Sequence, residues 1–175
     1  MDSQKIAGVV SLIKNIASIS PKEWLPSVEG QESKSQSIVF MPLVSNTRVY
    51  IEKVGNQING CYENGWFDAC AVMLRRLLET LIIEVFEHFQ LETKIKKNGD
   101  YMYLRDLINI MLAETAWTLS RNTKNALPKL KDIGDKSAHS RRFIAIRHDI
   151  EEIKSELRST IQELVILADI KRTPK

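Results

Sequence analysis

Apolar positions recur at helical spacing along most of this chain. The longest such stretch runs from Trp66 to Gln90. Ala69, Val72, Met73, Leu77, Leu81, Val85 and Phe89 fall near one face, and Cys70, Leu74, Leu78, Ile82 and Phe86 widen it. An apolar arc that broad predicts a helix buried on more than one side, the centre of a bundle. Val49, Tyr50, Val54, Ile58 and Cys61 or Tyr62 predict a helix from Ser45 or Asn46 to about Tyr62, closed by the turn residues Glu63-Asn64-Gly65. Leu104, Leu107, Ile108, Met111 and Leu112 mark another over 101–113. Ser120 or Asn122 is placed to cap a short helix through Leu127, with Pro128 near a fresh start and Gly134 ending the segment that holds Leu130 and Ile133. Ile146, Ile150, Ile153, Leu157, Ile161, Leu164 and Leu167 predict a last helix from Phe143 or Asp149 to Ile170.

The remaining segments are less regular. Ile6, Val9, Val10, Ile13, Ile16 and Ala17 share one stripe, and Ser20-Pro21-Lys22-Glu23 reads as a helix start cut short by Pro26. Residues 27–37 are polar loop, and the apolar run 38–44, with Pro42 inside it, predicts an extended segment lying on the helical body. Residues 91–100 read as a basic connector. A lone strand over 38–44 would find no partner, so no sheet is expected. The fold class that follows is all-α: an up-and-down bundle of four to six helices over residues 47–175, preceded over 1–46 by a helix and an irregular docking segment.

Composition narrows the picture. With 175 residues, 43% hydrophobic and 27% charged, the chain supports one ordinary globular core. The 7 glycines and 5 prolines argue against a turn-rich sandwich. A net charge of +3 falls short of a dedicated duplex binder but leaves room for a local basic patch. No run reaches the roughly 18 apolar residues of a membrane span, and Lys14 interrupts the one signal-like core. The cytoplasm is the expected compartment, with no membrane partner. Cys61 and Cys70 lack the companions of a metal site and read as structural or free thiols. Neither cofactor nor metal is expected, and phosphate-cradling and dinucleotide loops are absent.

Chemistry concentrates between Leu130 and Phe143. His139 can exchange protons near neutrality. Lys131, Lys136, Arg141 and Arg142 surround it in sequence and can clamp a phosphate, with Asp135 orienting the turn. His139 is equally read as a bundle-capping residue bonded to a backbone carbonyl. Arg75 and Arg76 in the central helix are further cations, Arg75 expected to pair with Glu79 at i, i+4 on the solvent side. His88 and His148 read as structural.

The run Ile133-Gly134-Asp135-Lys136-Ser137-Ala138-His139 before a long helix resembles the HEPN superfamily of small helical domains. It is most similar to a bacterial branch carrying a Gly-Asn-x-x-Ala-His turn. Tyr62-Glu-Asn-Gly-Trp-Phe-Asp-Ala followed by Arg75-Arg76-Leu77-Leu78-Glu79 resembles the small-residue turn and Arg-x-x-Leu-Glu helix of that branch, and the likeness spans about residues 47 to 170. It implies a homodimer whose paired Arg and His residues form a metal-independent ribonuclease, often in a toxin or antiphage system. The implied roles are His139, Asp135 and Lys131 at the catalytic site, and Lys136, Arg141, Arg142, Arg75 and Arg76 on nucleic acid. The sequence departs from the pattern in two places. No arginine stands four to six residues before His139, where Lys131 is the nearest cation upstream, and Asp135 replaces the asparagine. Lysine is a point charge without the bidentate fork of arginine. The alternative is a non-catalytic dimerisation or protein-interaction domain of the same fold, binding RNA, nucleotide or a protein partner.

Overall fold

The computed structural model describes residues 36–171. The chain divides into two compact units, residues 1–31 and 32–175. The expected helix over residues 5–18 and the start at Ser20 lie outside the described residues. Among the described residues seven α-helices follow one another, where four to six were expected: α1 (Met41–Val44), α2 (Val49–Glu63), α3 (Phe67–His88), α4 (Leu104–Ala113), α5 (Arg121–His139), α6 (Arg147–Glu152) and α7 (Lys154–Leu167). The class is all-α. α3 is the central helix, packed against α2, α4, α5, α6 and α7. Its Leu74, Leu77, Leu78, Leu81, Ile82, Val85 and Phe86 have no solvent exposure. Burying one such side chain stabilises by about 1.5–3 kcal/mol, so this one helix supplies much of the driving force for collapse.

Four expectations beyond residue 45 are corrected. First, Val49 and Tyr50 do not belong to the apolar face of α2. They are exposed, and the helix buries Ile51, Val54, Ile58 and Tyr62 instead. Second, residues 120–139 form one helix, not two. The Ser120 hydroxyl accepts the Thr123 amide at 3.2 Å as an N-cap. Pro128 sits inside α5 on the exposed face, where the carbonyl that loses its amide partner is left to water. Gly134 does not end α5, which continues to His139. Third, the last helix is broken at Ile153, where ψ is −6° and α6 gives way to α7, although the apolar stripe runs on through Ile150, Ile153, Leu157 and Ile161. Fourth, the basic connector carries a 3₁₀ turn (Glu92–Ile95) and a two-stranded hairpin, β1 (Lys96–Lys97) with β2 (Asp100–Tyr101). Asn98 and Gly99 have φ of 56° and 93°, the geometry a two-residue hairpin turn requires.

The segment before α2 is held from α2 itself. Asn59, fully buried, accepts the Ile38 and Val39 amides on Oδ1 at 3.0 and 2.8 Å and donates Nδ2 to the Val39 carbonyl at 2.9 Å. An irregular backbone can be buried only when its polar groups find such partners. Ile38, Val39 and Val44 thereby join the core of the bundle, and residues 41–44 form a helical turn where extended chain was expected.

Candidate functional site at the end of α5

α3 and α5 cross at Gly134. A methyl group there would lie 2.7 Å from Cβ of Arg75 and 3.0 Å from the Ala71 carbonyl oxygen, so only glycine lets the two backbones approach this closely. The crossing puts Arg75 beside the next residue of α5. Its Nε donates to Oδ1 of Asp135 at 2.8 Å, while Lys131 Nζ lies 2.7 Å from Oδ2. Asp135 therefore carries a cation on each oxygen. The expected Arg75–Glu79 pair exists as well, at a longer 3.6 Å. Burial opposes ionisation of Asp135, but the hydrogen bonds from Lys131 and Arg75 outweigh it and hold the carboxyl below its usual value. The bond to Asp135 raises Lys131 against the opposing effect of burial. At neutral pH, then, Asp135 is a carboxylate facing two cations, the Lys131 ammonium and the Arg75 guanidinium. The trio joins α3 to α5; within it Lys131 holds its proton more firmly, and Asp135 more loosely, than the free side chains do.

Beyond Gly134 the character changes. Lys136 and His139 lie on the last turn of α5, and Arg141 and Arg142 on the loop after it; all four are exposed, and none has an ion pair among the described residues. The negative end of the helix favours cations in its last turn. That accounts for Lys136. It does not account for Arg141 and Arg142, which stand past the helix. The loop has a defined path. Ser140 Oγ accepts the Arg142 and Phe143 amides at 3.4 and 3.2 Å. Asp68, in the first turn of α3, accepts the Ala145 amide at 3.0 Å. α6 is then fastened by Arg147, which lies over the rings of Tyr62 and Phe67, at 4.8 and 5.4 Å, and donates to the Tyr62 hydroxyl at 2.8 Å. Tyr62 in turn donates to Glu151.

The predicted residues thus fall into two groups. Lys131, Asp135 and Arg75 form the half-buried network. Lys136, His139, Arg141 and Arg142 form an exposed basic end. Arg76 is exposed on α3 and has no ion pair among the described residues. His88 and His148 are exposed and lie outside both groups. Sequence reasoning placed Arg75 on the solvent side and did not find Asp68 or Asn59; only the tertiary fold brings these to their partners. Among the described residues no cluster of His, Cys, Asp or Glu could hold a metal, and no helix is long and apolar enough to cross a membrane. Both cysteines are free, and burial pushes the Cys70 thiol up to about 12, so it is no nucleophile. Compared with family models, curated proteins and solved structures, the chain matches none of them.

Proposed function

We propose that this chain is a HEPN-like helical module directed at RNA, with the basic end of α5 as its contact surface. The observation that carries the reading is the pair of groups just described. Arg75 and Lys131 occupy Asp135, and Lys136, Arg141 and Arg142 at the end of α5 have no ion pair among the described residues. A phosphodiester supplies the missing negative charge. On this reading His139 is the proton-transfer group, Arg141, Arg142 and Lys136 hold phosphates, and Asp135 and Lys131 position α5 without touching substrate. Arg75 takes the place of the arginine that the turn lacks in sequence, as an anchor of the turn. Cleavage without metal requires the ribose 2′-hydroxyl to lose a proton while the leaving 5′-oxygen gains one. One histidine at the turn of each chain suits a homodimer that supplies the second, as the resemblance implies, in a bacterial defence or toxin-type system.

A second reading, a binding module without catalysis, is favoured by one observation. Arg75 and Lys131, the cations closest to the turn's interior, are already committed to Asp135, and Asp135 cannot serve as a base. Incubating the protein with end-labelled total RNA in EDTA separates the two. The nuclease reading expects cleavage that His139→Ala reduces by about 10²-fold or more. Cleavage unchanged in His139→Ala would remove His139 from the mechanism, and intact RNA that is nonetheless retained by the protein would establish the binding module.

A further inference from the structure

The basic end of α5 has an aromatic neighbour that the reading above leaves without a role. Trp66, immediately before α3, is 62% exposed, although tryptophan usually spends its large apolar surface in a core or an interface. α3 and α5 run antiparallel: Gly134 meets Ala71 and Arg75, and past the end of α5 the loop meets Asp68, nearer the start of α3, through Ala145. His139 lies five residues beyond Gly134, and Trp66 five before Ala71. At about 1.5 Å per residue the two stand at about the same level, at one end of the helix pair. The Asp68–Ala145 bond pins the loop there, placing Ile144 (75% exposed) and Ile146 (57%) beside the start of α3.

This end of the bundle therefore combines an uncovered indole, two uncovered isoleucines and three cations, Lys136, Arg141 and Arg142, without an ion pair among the described residues. Cations alone would fit any polyanion. A flat aromatic surface beside them fits a polyanion that carries flat apolar groups, which is a nucleic acid with its bases unpaired. A duplex keeps its base faces stacked on one another and offers none to an indole. Stacking on an aromatic side chain tolerates any base, since every base has a π-face.

We propose that Trp66 is a base-stacking platform, and that the ligand of the basic end is single-stranded RNA. One base lies on the indole, with Ile144 and Ile146 at its edge, and the flanking phosphates lie on Arg141, Arg142 and Lys136. This rests on the RNA reading given above and adds to it the strandedness of the ligand and the residue that senses it.

The test uses the full chain, a 12-nucleotide oligouridine, a 12-base-pair RNA duplex and inorganic polyphosphate. Oligouridine is expected to quench tryptophan emission on binding. Trp66→Ala should abolish that quench and weaken oligouridine binding on the order of ten-fold, leaving polyphosphate binding as in the parent. Trp66→Phe keeps a ring and should bind oligouridine nearly as well as the parent. Duplex should bind more weakly than the single strand and leave the emission unchanged. If Trp66→Ala binds oligouridine like the parent, or keeps the quench, the platform is refuted while the RNA reading stands. If Trp66→Ala instead turns a dimer into a monomer by light scattering, the indole belongs to an interface between copies and the platform is again refuted. If the parent binds none of the RNAs, both readings fall together.

Discussion

At the scale of single residues, Gly134 decides how the site is built. Alanine is ordinarily better than glycine inside a helix, by about 1 kcal/mol. Here the added methyl would meet the Arg75 Cβ and the Ala71 carbonyl, and the latter is backbone that cannot swing aside. Overpacking of this kind costs about 1–3 kcal/mol, so the steric term equals or exceeds the propensity gain. Gly134→Ala should lower stability in urea unfolding by up to about 2 kcal/mol and loosen the Arg75–Asp135 bond. A stabilised variant would mean that α3 and α5 are less tightly apposed than described. Asp135 gives a pH signature. Its carboxyl is held below the ordinary 3.8, so its ionised form adds stability above that value and the contribution is lost as pH falls through the lower folded value. Lys131 is raised above 10.5, so its contribution is complete below that pH and fades above it. The network is therefore intact across the neutral range. Between pH 4 and 2, Asp135→Asn should lose less of its thermal stability than the parent does. Parallel acid profiles for the two proteins would show that Asp135 is not held by its partners.

At the scale of elements, what could be read from the chain was what local spacing controls. The central helix was legible because its apolar arc repeats over six turns, and the Gly65 turn because Asn-Gly is a local signal, realised with φ of 74° at Gly65. The hairpin was not legible: Asn98-Gly99 is a local turn signal, but strands of two residues each carry no alternation to read, and 91–100 reads as a connector. α5 was split at Pro128 and Gly134 because both residues are helix breakers in isolation. Packing against α3 and α7 overrides them, and Glu163 of α7 secures the α5 start by accepting the Ser120 amide and hydroxyl at 2.6 Å each. The Arg75–Asp135 bond spans sixty residues and has no sequence signature. Asn59 is similar, a polar residue in an apolar stripe whose purpose appears only once residues 38 and 39 lie across it. Removing its side chain strands two buried amides and a carbonyl, each worth about 1–3 kcal/mol when left unpaired in the interior. Asn59→Ala should therefore cost about 3 kcal/mol or more, and the Ile38 and Val39 amides should lose hydrogen-exchange protection before those of α3. Protection lost equally everywhere would place Asn59 in the global core and not in a local clamp.

At the scale of the whole molecule, charge is distributed unevenly enough to be read in solution. The net charge is only +3, yet Lys136, Arg141 and Arg142 stand together at one end with no acidic partner among the described residues. Binding of a single strand releases about 0.7 counterion per neutralised phosphate. Three such contacts give a slope near −2 when the logarithm of the binding constant is plotted against that of salt concentration. Replacing both Arg141 and Arg142 by alanine removes two contacts and should bring the slope close to −0.7 for a short oligonucleotide. Replacing Lys94 and Lys129, which are paired to Glu114 and Glu156, should leave it where it was. The comparison matters because both double variants lower the net charge equally. A diffuse attraction between a basic protein and RNA would respond to both alike. Contact at the end of α5 responds to one, since those arginines carry charge that the fold has left unmatched while the lysines carry charge that it has already neutralised.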